Sequence, residues 1–401
     1  MQIEHLKTAA ELDAVQDAWN QMAGARPFLR YEWLGSWWRH YATASKNEPA
    51  VGEPFVLAVY DPGDSNTPIG LAPWYLQRSW TGGRTLRFLG DGVTCTEYPT
   101  ILCLAGQQSN VTAALAHWLD QQSPQSWDAI ELSSCDPGDD VVPQLASHLE
   151  ACGHQVQPAA GDACWRIELP SDWNEYLARL SKTNRKRARR LLRALHEGSR
   201  MRFGTAAAHD VIEMTDIMIQ LHQRRRDSRN ETGCFDSPRF CSFFRDATSQ
   251  LFAAGLVQLN YLQLDDSIVA ADYNLFGDDT IYAYQSGIDP DALQHKPGHL
   301  LTYETIRLAI ENGYKTVDLL RGDEPYKANL RAERTETLDW RIVRATRSAR
   351  LRHVAWLARR RTRGWAKQGL ATARGWQTTA ASTLANAWAT AAAKRIGDQG
   401  S

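Results

Sequence analysis

The alternation of apolar and polar residues is clearest between Leu256 and Leu320. Leu256–Leu264 (LVQLNYLQL) and Ser267–Phe276 (SIVAADYNLF) read as two strands joined by Asp265-Asp266, which predicts a tight hairpin. Gly277-Asp278-Asp279 turns the chain into a third strand, Thr280–Ser286. Spacing of three and four then predicts a helix over 299–312, opened by His295-Lys296-Pro297-Gly298 and closed by Gly313 in a left-handed cap. Lys315–Leu320 reads as a buried strand, and a polar segment follows.

Upstream, 9–22 reads as a helix and 26–41 as an aromatic one whose Phe28, Trp33, Leu34, Trp37, Trp38 and Tyr41 fall at core spacing. A hairpin is predicted for 55–60 and 68–76, strands for 84–89 and 127–133, and helices for 110–122 and 141–152. The order hairpin, helix, strand thus occurs twice. Two similar α/β (α+β) units with mixed sheets, sharing or abutting them, are the expected fold class, with a boundary near 161–170. The expected domains are 1–165, 166–345 and a tail, 346–401. Helices are further predicted for 171–198, 211–229 and 237–254, the first with Ser171 and Asp172 as caps.

Charge separates the tail from the body. The net charge is −1, yet residues 341–401 hold thirteen Lys/Arg against Asp398 alone. Trp356, Trp365 and Trp376 are interleaved with these cations, and Trp376, Ala380, Leu384 and Trp388 step by four. Such a segment suits peripheral contact with an anionic membrane; packing on a partner and disorder are the competing readings. A second basic run, Lys182 to Arg193, has no acid between 176 and 196, which suits either a solvated face or an anion. Seven scattered cysteines without CxxC argue against zinc and disulfides and for a reducing compartment. With no signal peptide and no apolar run long enough to span a membrane, a cytoplasmic location is expected.

The chemistry-bearing residues cluster late in the chain. Gly298 at a helix mouth, with Lys296 and His299 beside it, suits a pyrophosphate; the alternative is a plain helix-start turn. Asp272 interrupts an apolar strand, either as a general base with a raised pKa or as a solvated edge residue. Tyr284 offers a phenol to a leaving thiolate or is a core-edge residue, with Gln285 beside it. Asp318, Arg321 and Lys327 sit where strand ends bind ligands; Lys327 would steady an oxyanion or phosphate, and an Asp318–Arg321 ion pair is the structural alternative. Arg224 and Arg225 either face an acceptor or simply end their helix. No His pair or triad stands out.

Four segments, RPFLRYEWLGSWWRHY, LSKTNRKRARRLLRAL, LHQRRRDSRNETGCF and QSGIDPDALQHKPGHLLTYETIRLAIENGYKTVDLLRGDEPYK, resemble in their order the CelD/BcsL-type acetyltransferases of the GNAT superfamily. The resemblance covers about residues 20–345. It implies two tandem GNAT-like units, also similar to Fem-type transferases, and acetyl-CoA or another acyl-CoA as co-substrate without a metal. It further implies N- or O-acyl transfer to a cell-envelope or exopolysaccharide acceptor. In the Fem-type relatives a lysine in a segment like that of Lys327 is implicated in catalysis. The glycine-rich pyrophosphate loop of ordinary GNAT enzymes is reduced here to His295–His299. A Fem-type transferase using aminoacyl-tRNA and a non-catalytic polysaccharide-assembly factor are the rival readings; nucleic-acid binding alone has only the basic runs in its favour.

Overall fold

The computed structural model describes residues 1–44, 48–79, 82–198 and 200–358. One eleven-stranded sheet runs the length of the molecule, and a four-stranded sheet lies beside its first half. In the large sheet the second-half strands stand in the order Met201–Thr205, Val257–Leu264, Ser267–Phe276, Thr280–Ile288, Thr316–Arg321. The other end is built from Ala129–Cys135, Gly83–Phe88, Trp74–Ser79 and Glu53–Pro54. Two strands lie between these groups, and each comes from the opposite unit. Gln155–Glu168, the end of the first half, pairs with Thr316–Arg321. Glu333–Val343, the end of the second, pairs with Ala129–Cys135 and with Gln155–Glu168.

The two α/β units therefore share one sheet by exchanging their last strands. Each half also contains one parallel pair, 280–288 with 316–321 and 83–88 with 129–135. Each pair is bridged by a crossover containing a helix, Pro297–Glu311 or Gln108–Gln121.

The aromatic helix Tyr31–Tyr41 joins the halves from one face. Trp33 meets Phe243 at 4.9 Å and Tyr284 at 5.2 Å, and Trp33 and Trp37 are almost fully buried. All six aromatic and leucine positions expected in the core are buried. Their partners on Pro238–Ala253, Phe240, Phe243 and Phe244, close the same cluster. Truncating one such ring costs about 3–5 kcal/mol, so this cluster is a principal bond between the halves.

Several local expectations change. The 9–22 helix breaks at Val15 into Ala9–Ala14 and Gln16–Ala23. The 171–198 helix is two, Trp173–Arg179 and Lys182–His196, because Leu180 is extended and Ser181 caps a fresh start by accepting from Asn184 N. Asp172, rather than Ser171, caps the first of these. Strands 155–168 and 333–343 were not predicted: Pro158 and Gly161 break the alternation, and neither strand has a neighbour in sequence to form a hairpin with. The start of the basic tail is a helix over 347–358. Arg352 pairs with Asp128 at 2.8 Å, and the Arg341 guanidinium lies 4.1 Å from the Trp356 ring. The expected seam through Trp376, Ala380, Leu384 and Trp388 lies outside the described residues. Among the described residues no helix is long and apolar enough to cross a membrane.

Candidate functional site

Strands 280–288 and 316–321 run parallel for only three paired positions, Thr280–Thr316, Ile281–Val317 and Tyr282–Asp318. Beyond these the two strands part. On one side a bulge sets Tyr273 opposite Gln285 and Asn274 opposite Ala283, leaving Tyr284 without a counterpart. On the other, Leu320 adopts a left-handed backbone, φ 55°, and the register with 155–168 shifts between Asp318 and Arg321. A cleft of about 730 Å³ opens where they diverge. Its walls are both strands, the first turn of helix 297–311, the end of helix Val211–Asp227 and the turn 321–327.

The mouth is formed by Lys296, Pro297, Gly298 and His299. Lys296 is left-handed, φ 56°, and Pro297 opens the helix. The backbone N–H groups of Gly298 and His299 find no acceptor among the described residues, whereas Leu300 N already bonds Lys296 O. Gly298 sits close to the neighbouring strand: a Cβ there would stand 2.5 Å from Ile288 Cδ1, so a larger residue must push that side-chain tip aside. His299 is half-buried, and burial, then the charges of Arg187 and Lys296, lower its pKa, so the ring is neutral at pH 7. Arg225 and Arg229 face the cleft without an ion-pair partner among the described residues. Burial and the neighbouring Arg229 both lower the pKa of Arg225. The mouth can hold an anion through free amides and adjacent cations.

The floor carries Asp272. Its Oδ2 accepts from Thr305 Oγ1 at 2.9 Å, and its Oδ1 has no well-formed partner. Burial pushes its pKa up to about 6, against the smaller opposing influence of Asn274, Thr305 and Asn260. A carboxylate with that pKa is ionised at neutral pH and close enough to it to accept a proton usefully.

The remaining expected residues divide. Tyr284, Gln285, Arg225, Arg321 and Lys327 line the cleft with Asp272, Lys296, Gly298 and His299; Arg224 and Asp318 do not. Arg224 is held outside it by Asp289 and Asp291. Asp318 is fully buried, accepting from the Tyr98 hydroxyl (2.6 Å), Arg166 Nε (3.1 Å) and Leu320 N (2.8 Å), and burial raises its pKa. It does not pair with Arg321, which turns instead to Glu97 and Ser134. The Tyr284 hydroxyl donates to Thr94 O at 2.7 Å, and burial lifts its pKa far above the usual phenol. Gln285 Nε2 donates to Cys234 Sγ at 3.6 Å.

Lys327 Nζ donates to the carbonyls of Leu320 (3.1 Å), Arg321 (2.8 Å) and Gly322 (3.0 Å), with Glu324 at 3.0 Å. An ammonium has three donors, so all are engaged in holding this turn. Sequence reasoning passed over Asn274, Thr305, His222 and Arg229, which also line the cleft. Asn274 was legible: it stands two positions from Asp272 on the same strand face.

The corresponding slot in the first half is closed. Strands 83–88 and 129–135 also pair at three positions, but the space beyond them is only about 10 Å³, lined by Leu89, Thr96, Pro99 and Arg321 among others.

Residues 182–328 match a family model described as an acetyltransferase (GNAT) domain. No curated protein matches the chain. Among solved structures the chain is similar to FemX, with a TM-score of 0.57 at 10% identity, covering 85% of this chain and 97% of that one. It is also similar to a conserved protein of unknown function from Bacteroides thetaiotaomicron, with a TM-score of 0.51 at 12% identity, covering 85% of this chain and 99% of that one. At these identities the likeness is one of fold: two tandem α/β units of the kind the sequence implied.

Proposed function

We propose that this acyl-transferring enzyme takes its acyl group from a CoA thioester and gives it to an amine or hydroxyl acceptor. The observation that supports this most is the parted strand pair beside the two unpartnered amides of Gly298 and His299. An extended pantetheine fits between parted strands, whose facing edges have backbone groups left to pair. Pyrophosphate oxygens fit the helix mouth, where Lys296 adds positive potential.

Asp272 acts as the base. As the nucleophile attacks the thioester carbon, the carboxylate takes its proton, the C–S bond breaks and the electron pair leaves on sulfur. Lys327 and Arg321 shape the far wall, and Gln285 and Arg225 stand where an acceptor would pass. Tyr284 reaches the leaving sulfur only if its bond to Thr94 O opens. Residues 166–345 are the acyltransferase unit; from 1–165, Trp33 and Thr94 hold Tyr284 in place beside the cleft. The likeness to CelD/BcsL-type enzymes favours a cell-envelope or exopolysaccharide acceptor, on the cytoplasmic face, with the basic tail at the membrane.

Thermal unfolding in increasing acetyl-CoA, longer acyl-CoAs and free CoA tests this, since a ligand of the folded state raises the melting temperature by mass action. Gly298→Val, which drives a branched side chain into Ile288, should abolish the shift, and adding Ile288→Ala should restore part of it. An unchanged shift in folded Gly298→Val removes the pyrophosphate site.

A second reading, aminoacyl-tRNA as donor, is favoured by helix 182–196, which exposes Lys182, Lys186, Arg189, Arg190 and Arg193 on one element. It predicts steeply salt-dependent tRNA binding and no response to CoA.

A further inference from the structure

A helix packed on a sheet normally covers apolar side chains. Beneath Pro297–Glu311 the sheet presents, beside the apolar Leu262, Ala270 and Ile281, the polar Asp272 and Asn274, with Asn260 and Gln258 opposite them on the neighbouring strand. Thr305 faces them from the helix, bonded to Asp272. Asn260 and Asn274 are almost wholly buried, 2% and 1% exposed. Asn260 Oδ1 accepts from Thr205 Oγ1 at 3.0 Å. Asp272 Oδ1 and both amide atoms of Asn274 are buried without a well-formed hydrogen bond, although the Asn274 amide lies close enough to favour the ionised carboxylate.

Two cavities flank this polar seam. The cleft reaches it from the mouth of the helix, and a second space of about 500 Å³ reaches it from the other end, lined by Gln258, Asn260 and Asn312. Asn274 and Thr305 line both. Buried polar atoms beside space of this size and polarity are satisfied by ordered water.

We infer that a file of water runs under this helix from Asp272 past Asn274 and Thr305 to the rear cavity, and that it carries the proton taken from the acceptor out to solvent. The inference rests on the proposed role of Asp272 as base. The proton moves from the acceptor N–H or O–H to the Asp272 carboxylate, then to water, and leaves by the rear. The thiolate keeps the electron pair of the broken C–S bond and is protonated from solvent on release. With donor and acceptor filling the cleft, the front is blocked to bulk water, so a rear exit resets the carboxylate without product leaving first. Asn274 and Thr305 are positioning residues in this scheme. Besides Asp272, the charged groups lining the same spaces are Arg225, Arg226, Arg229, Lys296, Arg321, Glu324 and Lys327 in front, with the imidazoles of His222 and His299, and Asp278 behind. On the covering helix Glu304 is held by Arg307 and His196.

The test uses the full chain, with Asn274→Leu to fill the seam, Thr305→Val as a nearly isosteric second variant, and Asn274→Ser as the conservative rescue. Acetyl-CoA binding is followed by thermal shift, and thiol release from acetyl-CoA, with the amino sugar glucosamine as acceptor so that both sides of the cleft are filled, against pH in H2O and D2O. Titration of the Asp272 carboxyl is followed by carbon NMR, assigned with Asp272→Asn. Asn274→Leu and Thr305→Val should bind acetyl-CoA as the wild type does and keep its KM. Their kcat should fall roughly ten- to a hundredfold with a larger solvent isotope effect, and the carboxyl should titrate at higher pH. Asn274→Ser should recover most of the rate. Wild-type rate, isotope effect and carboxyl titration in Asn274→Leu would overturn the relay alone, as would a rate loss in Thr305→Val that leaves the isotope effect and titration unmoved. A wild type that binds no acetyl-CoA would instead remove the CoA reading and the relay's purpose with it.

Discussion

Arg321, at the end of the second half's last slot strand, pairs with Glu97, which lies in the loop after the first half's slot strand and is almost fully buried. The guanidinium lines both the narrow first-half slot and the open second-half cleft, so a single side chain links the two. Glu97→Ala leaves this cation with the distant, exposed Asp162 (3.7 Å) as its remaining carboxylate. Urea unfolding should show a loss of about 3–5 kcal/mol. Replacing both partners, Glu97→Leu with Arg321→Met, should restore most of it, because no unpaired charge is then buried.

Lys327→Met should lower stability and turnover together. Removing the ammonium leaves three carbonyls of the turn 320–322 without their shared donor, and leaving buried acceptors unsatisfied costs about 1–3 kcal/mol each. The melting temperature and kcat of the variant decide between roles. A fall of kcat at unchanged melting temperature would mean that the ammonium serves the reacting atoms instead of the turn.

What could be read from the chain in advance follows from the range of the interactions. The hairpin 257–276, the helix closed by Gly313 (φ 82°) and strand 316–321 rest on local periodicity and turn chemistry, and all stand within a residue or two of expectation. The closed first-half slot and the exchanged strands rest on contacts between distant segments. Asp318 shows the difference. Paired within its own segment it would meet Arg321, but its partners are Tyr98 and Arg166, 220 and 152 positions away. Asp272 was legible as a charge in an apolar strand. Asn274, uncharged and two residues on, carried the same message less loudly.

Asp272 should trade stability against activity. Its folded pKa of about 6 lies above the ordinary aspartate value of about 3.9, so folding favours the protonated form. Below about pH 4 the group is protonated in both states and adds no penalty. Between about pH 4 and pH 6 the unfolded chain gives up this proton while the folded one keeps it, so stability is lost across that window and levels off above it. Asp272→Asn should therefore be more stable than wild type at pH 7, by up to about 2–3 kcal/mol, and equal to it at pH 3. Acyl transfer has the opposite limb: it should fall below pH 6 in the wild type. In Asp272→Asn it should be low, with this limb absent. Equal unfolding curves for the two proteins at pH 7 would mean that Asp272 is solvated and not strained.

The exchange of last strands makes a prediction about dissection. A fragment of residues 166–345 ends with strand 333–343, whose neighbours on both sides, 129–135 and 155–168, are missing. Strand 316–321 also loses its neighbour 155–168 and becomes an unpaired edge beside the cleft. Trp33 and Trp37 leave with the first half, uncovering Phe243 and the ring of Tyr284. A long unpaired edge next to exposed aromatic surface aggregates, so this fragment should be insoluble when produced alone. Beginning at residue 153 instead of 166 returns the central strand, mends both ladders on that side, and should raise the soluble yield, although the aromatic face stays bare. Producing 1–150 together with 153–345 supplies every strand and both sides of the aromatic cluster. The two should copurify as a complex with the circular dichroism of the intact chain. Independent folding of 166–345, with a sharp thermal transition, would show that the exchanged strands decorate two self-sufficient units and do not hold them together.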